Sequence, residues 1–408
     1  MFARLFYGWF VVAAAFAVMC VGFGSAYTFS AFVESLQREF AASRGSVSLV
    51  FSLAGFLYFA LGIVSGPLAD RLGSRRLSAT GMVLVGIGLC AAGLARTLPQ
   101  VYVAYGLGIG LGVGFSYVPA LGAVQRWFVK RRGFASGLAV SGIGVGTLVM
   151  PPLASWFIHM LGWRHAYLAL GALAVVVGGG MALLIEDDPR DRGLAPDGEA
   201  LQPAARAESP SGFSVREAIR SRRFMALYAA CLFCSFGLFV PFVHLIPFAV
   251  DHGVAQSSAV LLIGAVGVGS TAGRFALGGL ADRLGREPAL LLMFVGMALC
   301  LLFWIVATAY WGMIAFALAY GVAYGGFVAV LPALAMDYFG GRNVSGILGV
   351  LYTSIAFGTL IGPSAAGYAF DLSHSYTVPI LVGAGGNVIA VLILWKLGKS
   401  RRAPAYAC

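Results

Sequence analysis

Residues 66–76 read GPLADRLGSRR and residues 278–288 read GGLADRLGREP, one loop written twice at an offset of 212. Two further pairs keep the spacing. Pro119-Ala-Leu returns as Pro332-Ala-Leu at 213, and GTLVMPP (146–152) returns as GTLIGPS (358–364) at 212. A long unit repeated in the same direction predicts two bundles related by an axis along a membrane normal, with a shared site near mid-depth.

The composition places that repeat in a bilayer. Of 408 residues 60% are hydrophobic and 11% are charged, against about 25% charged in soluble domains. Apolar stretches run at 8–33, 46–69, 77–97, 99–125, 133–158, 164–185, 224–250, 257–281, 288–308, 310–336, 344–369 and 376–397. A span needs about 20 residues, so the expected fold is all-α, with twelve transmembrane helices in two six-helix bundles. The stretch from Glu186 to Ser211 is rich in Asp, Glu, Pro and Ala and reads as a solvated linker. FSVREAIRSRRF (213–224) mixes apolar and basic residues and is expected to lie on the membrane surface. The expected divisions are therefore 1–185, 186–223 and 224–408.

Net charge is +11, and 22 of the 27 Lys and Arg lie at the two ends or after even-numbered spans. That asymmetry predicts both termini in the cytoplasm and does not point to nucleic acid. The first apolar run lacks an A-x-A site and reads as a retained helix. Cys231 and Cys234 form a C-x-x-C on an apolar helix without a second ligand pair, so they read as packing. No metal cluster, nucleophile triad or phosphate loop appears. The expectation is a multi-pass protein of a cell membrane, with no cofactor, no enzymatic activity and a functional monomer.

Arg274 stands inside LLIGAVGVGSTAGRFALGGL (261–280), where a cation costs at least about 2.5–3.5 kcal/mol on insertion scales. No carboxylate within a span is placed to pair with it, so an anion site is expected there. Ser270 lies one turn away, and Gly267, Thr271 and Gly278 share its helix face. The alternative is that Arg274 bonds neighbouring helices as structural glue.

The G-x-L-A-D-R-x-G-x-R loop (Gly66, Asp70, Arg71, Gly73, Arg75) resembles the signature of the major facilitator superfamily, and its second copy supports this over the whole chain. The resemblance implies gating residues Asp70, Arg71, Arg75, Asp282 and Arg283, with Asp70 latching the start of helix 11 and Asp282 the start of helix 5. Glycines of the loop are expected to allow close helix approach. Tyr7-Gly8-Trp9 and WFVKRRGFASGLAVSGIGVG (127–146) are similar to the monocarboxylate porter branch, including bacterial members and the oxalate–formate exchangers. That branch typically binds the substrate carboxylate with a cation in helix 8, the place of Arg274. Animal members often carry Asp where this chain has Ser270, and a Lys in helix 1 that GSAYTFSAF (24–32) lacks. The exchangers use a second cation in helix 11, which has none here beyond Arg342 at its mouth.

The other candidate substrate contacts are Tyr117, Tyr352, Tyr27, Tyr324 and His244, with Tyr320 weighed as packing. His244, between Pro241 and Pro247, is the proton-coupling candidate. The reading that follows is alternating-access transport of a small monocarboxylate such as lactate or pyruvate across a bacterial inner membrane. The branch implies proton symport. Anion exchange of the oxalate–formate kind, or a transporter-like carboxylate sensor, are the alternatives.

Overall fold

A computed structural model describes residues 6–198, 212–340 and 343–402; the side chains of Asp70 and Asp282 and all of Arg342 lie outside the described residues. The elements are α1 (Gly8–Tyr27), α2 (Phe29–Phe40), α3 (Arg44–Ala60), α4 (Gly62–Leu72), α5 (Ser74–Gly93), α6 (Leu98–Trp127), α7 (Arg132–Leu173) and α8 (Gly180–Ala182). Then follow α9 (Val215–Arg220), α10 (Arg222–Leu238), α11 (Val240–Asp251), α12 (Gln256–Leu284), α13 (Arg286–Val306), α14 (Tyr310–Phe339), α15 (Val344–Ser373) and α16 (Thr377–Arg402). The only sheet-like pairing among the described residues is one bridge between Gly212 and Gly340.

Ten helices are long and apolar enough to cross a membrane, or eleven if α3 and α4, bent by 46°, count as one span. α7 is broken inside at Gly162, whose φ of 78° is non-helical. The surface left outside carries large apolar side chains such as Trp311 (78% exposed), Val176 (72%) and Leu372 (88%). Water would penalise that surface and hydrocarbon accepts it, so the chain is a multi-pass membrane protein.

The repeat is visible in the packing. α3 runs along α15, and α7 runs along α12; shifting α3 and α7 by 212 residues lands on α12 and α15, so these are two versions of one contact. Within each repeat, α1 packs on α7 and α10 on α15 through glycines. A Cβ on Gly142 or Gly146 would run into the carbonyls of Phe16 and Cys20, and one on Gly362 into that of Phe236. The duplicated loop uses its glycine differently from the expectation. Gly73 (φ 86°) and Gly285 (φ 90°) end α4 and α12 in a backbone conformation that L residues avoid. Gly66 and Gly278 have open space or ordinary contact around them.

The first part of the expected solvated linker is not free. Asp187 accepts from the amide of Ser74 (2.7 Å) and pairs with Arg126 (2.9 Å), and Asp197 accepts from the amides of Val129 (3.0 Å) and Lys130 (2.8 Å). Acidic residues that read as solubilising instead cap the loop ends of the first repeat. The 213–224 segment forms α9 under a Ser214/Glu217 capping box, and Ser221 caps α10.

Candidate functional site

α12 carries Arg274 into the centre of the molecule, where the residue is 6% exposed. Its Nη1 donates to the carbonyl of Val140 on α7 at 2.5 Å. Nε and Nη2 have no partner, and neither has the Oγ of Ser270, which is 2% exposed. Nε–H and Nη2–H lie along one edge of the guanidinium plane, the edge that grips a carboxylate through two parallel bonds. One edge of the cation is therefore spent on holding α12 to α7, and the other is unused. Buried donors left in that way are uncommon in proteins and ask for a ligand.

The small residues beside Arg274 serve mainly to let helices meet. Gly267 lies against Gly144 and Leu148 of α7, the Thr271 hydroxyl returns to the Gly267 carbonyl, and Ser270 backs onto Gly325 of α14. The closeness of these backbones, more than open room, fixes the height of the guanidinium.

Three phenols, Tyr324, Tyr117 and Tyr27, lie within electrostatic reach of this charge. Tyr27 and Tyr324 share a hydrogen bond across the two repeats at 3.1 Å. Tyr117 and Tyr352 line one cavity with Tyr324. That cavity measures about 40 Å³ and is walled by Phe23, Phe59, Phe239, Phe327 and aliphatic residues. Such a volume holds about one water, whose share of the liquid is about 30 Å³.

Tyr320 is buried with its hydroxyl donating to the carbonyl of Leu238 at 2.7 Å, a packing role. His244 is buried too, and its hydrogen-bond partners are Ser48, Pro363 and Tyr376, none of the four candidate tyrosines. Its Nε2 lies 2.8 Å from the carbonyl of Pro363 and its Nδ1 lies 3.1 Å from the hydroxyl of Tyr376. A carbonyl only accepts, so Nε2 carries the hydrogen and Nδ1 accepts from Tyr376. Arg71 and Arg283 are exposed at the loop end. Arg75 is held by the Ile185 carbonyl (2.8 Å) and Glu186 (3.1 Å).

Two groups of residues escaped sequence reasoning. Tyr58 is 5% exposed, packs at 5.6 Å from the ring of Phe23 and has an unpartnered hydroxyl. Arg44, Asp251, Asp371 and Tyr376 meet at the mouth opposite the duplicated loops. The signal for these was position alone, because Arg44 opens its helix and Asp251 closes one. Among the described residues no cluster of three His, Cys, Asp or Glu could hold a metal.

The sequence model of the Major Facilitator Superfamily matches residues 14–310 and 233–406. Monocarboxylate transporter 11 of Mus musculus is 30% identical over 385 residues, covering 92% of this chain and 84% of the relative. Monocarboxylate transporter 2 of Homo sapiens is 25% identical over 414 residues, covering 97% and 86%. Among solved structures, a bacterial homologue of the human lysosomal transporter Spinster, inward-facing and occupied, aligns with a TM-score of 0.71 at 16% identity over 98% of this chain and 99% of that one. At that identity the likeness concerns the fold.

Proposed function

From the premise that the chain belongs to the monocarboxylate transporter branch of the major facilitator superfamily, we propose that it carries a small 2-oxo or 2-hydroxy monocarboxylate of the pyruvate or lactate kind. The observation that carries the reading is the unused Nε/Nη2 edge of the buried Arg274. A carboxylate docking there satisfies both donors and cancels the one buried charge. A dianion would leave a charge uncompensated in low dielectric, which costs several kcal/mol. Ser270 and the hydroxyls of Tyr117, Tyr352, Tyr27 and Tyr324 then hold the remaining oxygen, and the phenylalanine walls take the carbon chain.

Counting Gly133–Ala182 as two spans across Gly162, and α3–α4 as one, raises the ten helices to twelve. The divisions become 1–185, 186–223 and 224–408, with both termini and the duplicated loops in the cytoplasm. The repeats rock about the α3–α15 and α7–α12 contacts, each exposing Arg274 to one side in turn. Arg71, Arg75 and Arg283, with Asp70 and Asp282, tune that movement at the cytoplasmic mouth. Transport is coupled to protons, with His244 as the titrating group and the substrate's own proton as the alternative. The protein acts as a monomer in a cell membrane.

The test is uptake by proteoliposomes across a panel of short carboxylates, with and without a pH gradient. Accumulation of monocarboxylates driven by an acidic outside, abolished by Arg274→Gln, is expected. Normal uptake by Arg274→Gln would end the proposal, and gradient-independent counterflow without net uptake would favour exchange.

A further inference from the structure

We infer that Arg44, Asp251 and Asp371 form a latch that closes the mouth opposite the duplicated loops, the external one in the orientation proposed above. The inference rests on residues separate from the substrate site and goes beyond it.

α3 begins at this mouth, and its first amides point at the end of α15. The amide of Arg44 donates to Asp371 Oδ1 at 2.9 Å and that of Gly45 to Oδ2 at 2.8 Å. A carboxylate at a helix N-terminus meets both unpaired donors and the positive end of the helix dipole. Close approach makes this possible: a Cβ on Gly367 would lie 2.7 Å from the Cα of Gly45. The Arg44 guanidinium turns to α11, where it grips Asp251 through two bonds of 2.5 and 2.7 Å. The same group donates to the hydroxyl of Tyr376 at 3.0 Å and lies 4.1 Å from the centre of the Phe370 ring. About two turns further in, Ser364 donates to Ser52 at 2.8 Å and continues the seam.

Every one of these bonds joins the first repeat to the second. Opening this mouth must break them together, returning the first amides of α3 and the Arg44 fork to water. Contacts inside either bundle would survive the same motion.

The latch is built once, although the fold is built twice. At the offset of 212, Arg44 corresponds to Gln256, Asp371 to His159 and Asp251 to Glu39. Gln256 carries no charge and His159 is exposed. Glu39 pairs with Arg164 at 2.8 Å within its own repeat. The α3–α15 seam is thus locked by charge at this end, whereas the equivalent α7–α12 seam is not.

The test places a cysteine behind the latch. Ser52 is fully buried, and Ser52→Cys is labelled with a membrane-impermeant maleimide added from the Arg44 side. Asp371→Asn and Arg44→Gln, each added to Ser52→Cys, are expected to speed labelling about tenfold, one decade in the open population. Asp251→Asn should have a smaller effect, since the Asp371 cap remains. Cys231 and Cys234, both fully buried, should stay unlabelled throughout. Unchanged labelling at position 52 in both Asp371→Asn and Arg44→Gln would overturn the inference. So would labelling that rises equally at Cys231 and Cys234, which would report unfolding. Arg274→Gln should leave labelling at position 52 unchanged while abolishing carboxylate counterflow, so a failed substrate site and a failed latch give different results.

Discussion

Arg274→Met separates a binding cation from structural glue, because the two roles predict opposite effects on stability. In the folded protein Arg274 makes one bond, Nη1 to the Val140 carbonyl, and leaves Nε and Nη2 without partners. A cation at mid-membrane costs about 2.5–3.5 kcal/mol on insertion scales, and one charge-assisted bond returns about 1.5–3 kcal/mol. The Val140 carbonyl lies in the body of α7, so it keeps its helical partner when Arg274 goes. Methionine is unbranched, of similar length, and carries no charge. The net expectation is a change between about zero and 2 kcal/mol in the stabilising direction. Purified Arg274→Met should therefore melt at the wild-type temperature or slightly above it, in detergent and without substrate, while losing carboxylate transport. The assay is the melting temperature by tryptophan fluorescence on wild type and variant side by side. A clear fall in melting temperature would refute the reasoning, since it would mean that the cation's bonds outweigh its burial.

Four other outcomes follow from particular contacts. Tyr27→Phe removes the bond to Tyr324, worth about 0.5–1.5 kcal/mol; substrate KM should rise a few-fold with little change in melting temperature. Gly146→Val forces a branched side chain against the Cys20 carbonyl, an overpacking cost of about 1–3 kcal/mol or more; size-exclusion chromatography should show a loss of monodisperse protein. His244→Gln keeps a donor for the Pro363 carbonyl and an acceptor for Tyr376 but cannot titrate, so counterflow should persist while acceleration by an inward proton gradient is lost. Burial pushes the Asp197 carboxyl up, yet the amides of Lys130, Val129 and Arg131 outweigh it and hold the group below its ordinary range. Its stabilising contribution is thus present above the unfolded value near pH 4 and lost as pH falls through the lower folded value. Asp197→Asn should lower the melting temperature at pH 7 and make no difference in strong acid.

The elements were legible because hydrocarbon forces long apolar runs, and the duplicated LADRLG fixed how they repeat. The ends of the runs at 99–125 and 257–281 agree with α6 and α12 to within a few residues. Composition could not foresee the breaks at Thr28 and Leu61 that divide single runs into two helices, whereas the break at Phe239 falls where Pro241 and Pro247 predict a bend. Arg274 stood out for the same reason that the fold did: a charge inside an apolar run is costly. The tyrosines were harder, because a phenol in a span reads alike whether it packs, as Tyr320 does, or faces the central charge, as Tyr324 does. Arg44, Asp251 and Asp371 were missed because charges at span ends are ordinary. Their pairing depends on which helix ends converge in space, and hydropathy carries no record of that.

Direct binding to purified protein tests the central claim most closely. Wild type, titrated with pyruvate or lactate and followed by calorimetry, should bind saturably, and the corresponding amide, which lacks the negative charge, should not compete. Losing a buried, hydrogen-bonded charge partner costs about 2–5 kcal/mol, so Arg274→Gln should weaken binding by about 30-fold to several thousand-fold at 1.4 kcal/mol per decade. Equal affinity of wild type and Arg274→Gln for the same monocarboxylate would contradict the account.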